Sequence, residues 1–321
     1  SAAASMREAA GLAADGRAQL DLLDRAAELR AEVGDDAAEL AADRRVRDEP
    51  ALAARALTRS ARALVRLGRY DDAHRDAAAL AGAPGRTPEQ EALSRALLAE
   101  LTPLIATAAR VDLRFDAPLS PAWRLLRPGA VRRDPTRQAL ALQIAAAADP
   151  VAELPIEWDG GPVSLEYELD IDRLEYGSCI RLALVDATGA PWLGAGTCSM
   201  GGGGRLMHIG RWTVGGSGWA DLTPRLVASA VHPRRVVVRV AYFPEREVAE
   251  CAYDDGEGVL RQTITGVAPP RPGRHRLTIG AGVYNLAPSL ATGDLRRVVV
   301  RGARVAAPAP GDVAGMRAAW L

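Results

Sequence analysis

SLEYELDIDRLEYGSCIRLALVD, residues 164–186, decides how the rest of the chain is read. Its first half alternates: Leu165, Tyr167, Leu169 and Ile171 fall on one side, and Glu166, Glu168, Asp170 and Asp172 on the other. A strict period of two over this length belongs to a β-strand with one face in a core. A second apolar run at 178–186 reads as its companion. The pair predicts a β-domain in which Leu165, Tyr167, Leu169 and Ile171 are buried against a second sheet, leaving a row of acids on the other face.

Working outward, short strand-like segments recur at 111–115, 123–126, 138–145, 192–199, 205–213, 235–243, 247–253, 258–265, 275–281 and 296–305. Gly- and Pro-rich turns separate them. This pattern predicts an all-β antiparallel sandwich or jelly roll over 111–308. Pro308-Ala309-Pro310 stops it, and 309–321 reads as a tail or short docking helix carrying Met316 and Trp320.

Residues 1–110 have a different periodicity. Helices are expected near 3–14, 17–33, 36–47, 51–67, 70–81 and 88–109. Thr87-Pro88-Glu89-Gln90 is a helix start, with Thr as cap, Pro at the first helical position and Gln90 able to close a capping box. Pro103 predicts a kink in the last helix. Gly34 to Gly68 and Pro50 to Pro84 each span 34 residues, the period of the tetratricopeptide repeat. Leu67-Gly68-Arg69-Tyr70-Asp71-Asp72-Ala73 resembles the helix A/helix B junction of that repeat. Val33-Gly34-Asp35-Asp36-Ala37 is a weaker copy without the Tyr, and neither copy has the large aromatic expected early in helix A. The resemblance covers 17–110 and implies a helical repeat that binds a protein or peptide. A generic bundle of αα-hairpins is the plainer alternative.

Two helices carry charge stripes. Asp21, Asp24, Glu28 and Glu32 share one face of the helix expected at 17–33, and Arg55, Arg59, Arg62 and Arg66 share one face of that at 51–67. The stripes either pair with each other or form a groove for a charged peptide.

The order EYELDIDRLEYGSCIRLALVDATGAPW, with the late strand LRRVVVRGARV, resembles concanavalin A-like jelly rolls: laminin-G-like, lectin-like and family-16 glucanase-like sandwiches. The resemblance covers 111–308 and implies recognition of carbohydrate or protein. A helical repeat followed by such a sandwich resembles the sensory C-terminal part of large bacterial signalling proteins, including receptor-like kinases. A regulatory fragment of a kinase or protease system is therefore a further reading, although the chain holds no kinase motif.

Composition narrows the chemistry. Formal charge is zero, from 40 basic and 40 acidic residues, so no global field favours nucleic acid or an anionic membrane. Every basic residue is Arg. Without Lys there is no Schiff base and no phosphate-loop lysine. No apolar run is long enough to span a membrane. Met6 is internal, and the opening SAAASMREAAG reads as a processed piece of a longer chain. A cytoplasmic location and no cofactor are expected.

Glu168-Leu169-Asp170-Ile171-Asp172 resembles the Glu-x-Asp-x-Glu strand motif of family-16 glycosidases. That resemblance implies Glu168 as nucleophile, Asp170 as its assistant and Asp172 as acid/base. Retaining chemistry needs two carboxyls about 5–5.5 Å apart. The last residue here is Asp, one methylene short, and an aromatic-rich surround is missing from a chain with two Phe, six Tyr and six Trp. A solvated acidic face paired with sheet arginines is the plain reading.

Trp192, Trp212 and Trp219 lie near the glycine runs 201–204 and 215–218, where an exposed ring could stack on a sugar; packing in core or loop is the alternative. His74, His208, His232 and His275 are scattered, so no metal is expected, and Asp254-Asp255-Gly256-Glu257 reads as an acidic turn. Arg271–Arg276 reads as an isolated basic loop. With a two-residue turn at Thr188-Gly189, Cys179 and Cys198 face each other across a hairpin. A free thiol pair is expected there, because a cross-strand bridge strains the ladder. Cys251 has no evident partner. The expected function is a non-catalytic recognition module or scaffold, with a family-16-like hydrolase as the alternative.

Overall fold

The computed structural model describes residues 16–33, 35–145, 150–202, 205–214, 219–221, 225–226, 234–256, 259–268, 270–281 and 289–307. The segments expected as a first helix at 3–14 and as a tail at 309–321 lie outside them. The chain divides into two compact units, Ser1–Ile105 and Ala106–Leu321. Among the described residues no helix is long and apolar enough to cross a membrane.

The first unit contains α1 (Gly16–Val33), α2 (Asp36–Val46), α3 (Ala53–Arg66), α4 (Tyr70–Gly82) and α5 (Pro88–Ile105). Each packs on the next in sequence, and α1 with α3 and α3 with α5 also touch. Caps set the boundaries. Asp35 accepts from the Ala38 N–H at 3.1 Å to start α2. After α3, the Arg69 and Gly68 N–H groups bond back to Leu64 and Val65, a double closure of the helix end. At α5 the expected capping box forms: Thr87 N–H donates to Gln90 Oε1 at 2.8 Å, and Gln90 N–H to Thr87 Oγ1 at 3.3 Å. The helix ends at Ile105, two residues after Pro103, and a 3-10 turn at Thr107–Ala109 replaces the expected continuation to 109. These are helical hairpins packed as a bundle.

The second unit is an antiparallel sandwich. Its strands are β1 (Arg110–Arg114), β2 (Arg124–Leu125), β3 (Val131–Asp134), β4 (Ala139–Ala145), β5 (Ala152–Trp158), β6 (Val163–Leu174), β7 (Cys179–Val185), β8 (Pro191–Gly202), β9 (Arg205–Val214), β10 (Trp219–Asp221), β11 (Arg225–Leu226), β12 (Arg234–Phe243), β13 (Val248–Asp254), β14 (Val259–Thr265), β15 (Gly273–Gly280), β16 (Leu290–Arg301) and β17 (Ala303–Val305). The first sheet runs β14-β13-β12-β6-β16-β4-β3, with β1 also on β16; the second runs β10-β9-β8-β7-β15-β5-β17, with β11 on β9 and β2 on β5.

The opening stretch thus supplies a central strand to each sheet. Leu165, Tyr167, Leu169 and Ile171 of β6 are buried as expected, in one core with Val236, Val238 and Val240 of β12. Ile180, Leu182 and Leu184 of β7 and Leu277 and Ile279 of β15 close the same core from the other sheet. Burial of side chains of this size contributes about 1.5–3 kcal/mol each. The segment expected to be a basic loop, Arg271–Arg276, instead leads into β15 from Gly273, and His275 is buried beside Trp158 and Trp192 because alternation turns it inward.

Cys179 and Cys198 pair across β7 and β8 as the register argument requires. The turn is longer than two residues, and an irregularity between Leu184 and Val185 absorbs the extra length. The expectation of free thiols is corrected: the two are joined in a disulfide, with Cα atoms 4.1 Å apart. Facing cysteines on neighbouring strands already have their sulfurs within bonding reach.

Candidate functional site

The outer face of the first sheet is built around β6. Alternation brings Glu166, Glu168 and Asp170 onto it, between Arg235 and Arg239 of β12 on one side and β16 on the other. Two irregularities shape the surface. Thr292 pairs with Arg173 and Gly293 with Ile171, so Asp172 has no partner in the ladder and sits in a bulge. Gly293 permits that close contact, because a Cβ there would lie 2.7 Å from the Asp170 carbonyl oxygen. Further along, Leu295 pairs with Leu169 and Arg297 with Glu168, leaving Arg296 as the extra residue. A bulge re-aims a side chain, and Arg296 turns to the acidic face.

The result is a clamp on Asp170. Arg235 Nε donates to its Oδ1 at 2.9 Å, and Arg296 Nε to its Oδ2 at 2.7 Å. Burial pushes this carboxyl up, but the two guanidinium hydrogen bonds outweigh it and hold Asp170 below the usual carboxylate range. Glu166 is taken by Arg239 at 2.7 Å. Asp172 accepts from Thr292 Oγ1 at 3.1 Å. Glu168 lies in the electrostatic field of both Arg235 and Arg297.

A cavity of about 380 Å3 opens over Glu168, lined by Arg114, Arg137, Arg235, Arg296, Arg297 and Gln138. Its aromatic lining residue, Phe115, is fully buried. A second hollow of about 470 Å3 continues from Arg137 past Asp172, Thr292 and Gln143. The β3–β4 turn delivers Arg137 and Gln138. Asp134 Oδ1 accepts from the Thr136 N–H, the Thr136 hydroxyl and the Arg137 N–H. Gln138 sits at φ 51°, a conformation uncommon for a residue with a side chain. Arg296 donates to the Arg137 carbonyl, tying the turn to the bulge.

Of the sequence-derived candidates, Glu168 and Asp170 share this face and Asp172 is offset by the bulge. Trp192 is corrected: it is only 3% exposed, 4.6 Å from Trp158 in the core, and offers no ring to a ligand. Trp212 and Trp219 lie on β9 and β10, and their side chains fall outside the described residues. In the helical unit, Arg59 reaches Asp24 and Asp43, both at 2.6 Å, Arg55 reaches Asp24 at 2.9 Å and Arg66 reaches Asp36 at 2.8 Å. Arg62 is exposed. Among the described residues no group of three or more His, Cys, Asp or Glu side chains is placed to hold a metal ion. The acidic turn at Asp254 forms, with its carboxylate taking the Gly256 N–H at 3.0 Å.

No family model matches the chain, and no curated protein matches it. Solved structures that resemble it do so over the sandwich. The carbohydrate recognition domain of Emp47p is 11% identical, covers 61% of this chain and 96% of its own, and superposes with a TM-score of 0.42. The Bacillus licheniformis β-glucanase is 12% identical, covers 61% and 99%, and gives 0.36. The VIP36 exoplasmic/lumenal domain, bound to Ca2+ and Man3GlcNAc, is 10% identical, covers 64% and 92%, and gives 0.37. Likeness this distant carries nothing about activity.

Proposed function

We propose that the sandwich is a non-catalytic recognition module that holds an acidic saccharide in the groove over β6. The arginines that line the groove carry this reading. A glycosidase needs its two working carboxyls opposed at a set distance, and Asp172, which the family-16 resemblance would make the acid/base, is offset from Glu168 by the bulge. Arg235 and Arg296 share Asp170 and Arg297 holds Asp112, but each guanidinium has five donors, and the fork of those left over suits carboxylate or sulfate groups. The groove lacks an exposed ring in its lining for stacking a neutral sugar. For the helical unit we propose a scaffold role, because Arg55, Arg59 and Arg66 are spent on acids of their own bundle.

The test is an array of oligouronates, sulfated oligosaccharides and neutral glucans. Acidic chains should bind, with affinity falling steeply as salt rises, and Arg235→Ser should weaken them tenfold or more. Equal binding of neutral chains would overturn the proposal. A hydrolase remains the second reading because Glu168 and Asp170 do share one face beside a cavity. Release of reducing ends from β-glucan by the native protein, lost in Glu168→Gln, would establish it instead.

A further inference from the structure

The sandwich has a second concave site on its opposite side. On β5, β7 and β15 the residues alternating with the core-facing leucines and isoleucines are Glu153, Arg181, Val185, Arg276 and Thr278. With Arg124 of β2 and the apolar Leu126, Pro150 and Pro191 they line a cavity of about 610 Å3. That volume is within the range of small-molecule sites, which combine apolar walls with a few converging polar groups.

The polar groups are built in. Glu153 is 4% exposed, and its two oxygens take Arg124 Nη1 at 3.1 Å and Arg276 Nη1 at 3.4 Å. Arg276 is thereby held across the floor, with Gly189 at the rim: a Cβ there would sit 3.5 Å from Arg276 Nη2. Arg181 is 6% exposed although it faces away from the core. Guanidinium groups do not give up their charge, so Arg124 and Arg276 together exceed the single carboxylate of Glu153 that they share. Leu126 is 41% exposed at the edge, one of the few large apolar side chains in the open among the described residues. Its own N–H bonds to the Val151 carbonyl at 2.9 Å, which fixes the segment that carries it.

We infer that this cavity binds a carboxylate borne on a small apolar body, its charge received by Arg276 and its body resting on Leu126, Val185 and Pro191. This site is independent of the groove over β6. Hexanoate and benzoate are the probes, with hexanamide and benzamide as uncharged counterparts, measured by calorimetry on the full chain. The carboxylates should bind with Kd below about 1 mM and at least tenfold tighter than the amides. Arg276→Gln should remove that preference. Leu126→Ser alters an exposed side chain, so it should keep the melting temperature while weakening both carboxylates several-fold. Arg235→Ser, in the other groove, should leave them unchanged. Absence of binding, equal binding of acids and amides, or insensitivity to Leu126→Ser would each overturn the inference.

Discussion

Asp170 is held by two arginines that stand 65 and 126 positions away in sequence. That distance explains how much of the candidate site was legible. Alternation alone placed Glu168 and Asp170 on one face. It could not name their partners, because strand order was unknown, and it could not place Asp172 or Arg296, because a bulge breaks the period on which the reading relies. The doubled arginine in LRRVVV was the available signal for the missing half of the site. The cysteines went the other way: their register was readable from the turn, but their oxidation state was not. The bond follows from the register that sets the two sulfurs side by side across β7 and β8. Thiol titration of the denatured, non-reduced protein should count a single free thiol, from buried Cys251. Three free thiols would contradict the Cys179–Cys198 bond.

Among the elements, the helices from α1 to α4 start and stop within about two residues of expectation, and the ends with a local signal are the start of α2 at Asp35 and the close of α3 at Gly68. The capping box at α5 gives a direct check. Thr87→Ala removes one of its two hydrogen bonds and should cost about 0.5–2 kcal/mol in chemical denaturation; an unchanged midpoint would mean the box is ornamental. Of the strands that sequence reading missed, β3, β5, β10 and β11, the longest is β5. Ala152, Leu154, Ile156 and Trp158 alternate as cleanly as β6 does, although a proline such as Pro155, with no N–H to donate, is unfavourable inside a sheet. The sheet accommodates it by leaving one side of β5 to two short partners. β2 pairs at Glu153 and Ala152, β17 pairs from Ile156 to Trp158, and the proline falls between them. Its carbonyl still accepts the Ala306 N–H at 3.0 Å.

At the scale of the whole molecule, the two units respond to pH in opposite directions. In the helical unit, burial raises Glu39 to about 7 against the pull of Arg66, and raises Asp43 to about 6 against its hydrogen bond from Arg59. Carboxyls harder to ionise in the folded state add stability below their ordinary range and lose it as pH climbs through these values. In the sandwich, Asp112 is held low by its hydrogen bond from Arg297, and Asp170 is held low by its clamp despite burial. Their contribution is present above the ordinary aspartate range and lost as pH falls below it. Between pH 8 and pH 5 the helical melting transition should rise while that of the sandwich holds; below about pH 4 the sandwich should fall. Glu39→Gln should flatten the first trend, and a helical transition that drops from pH 8 to pH 5 would contradict it. The topology also has a temporal side. β6 pairs with β12 and β16, and the chain crosses from one sheet to the other at Gly302, where a Cβ would meet the Pro162 carbonyl oxygen at 2.0 Å. During synthesis β6 leaves the ribosome long before β16 does, and at ordinary elongation rates it waits on the order of ten seconds for its last neighbour. Through that interval its apolar face and unpaired edge are open to any other nascent chain.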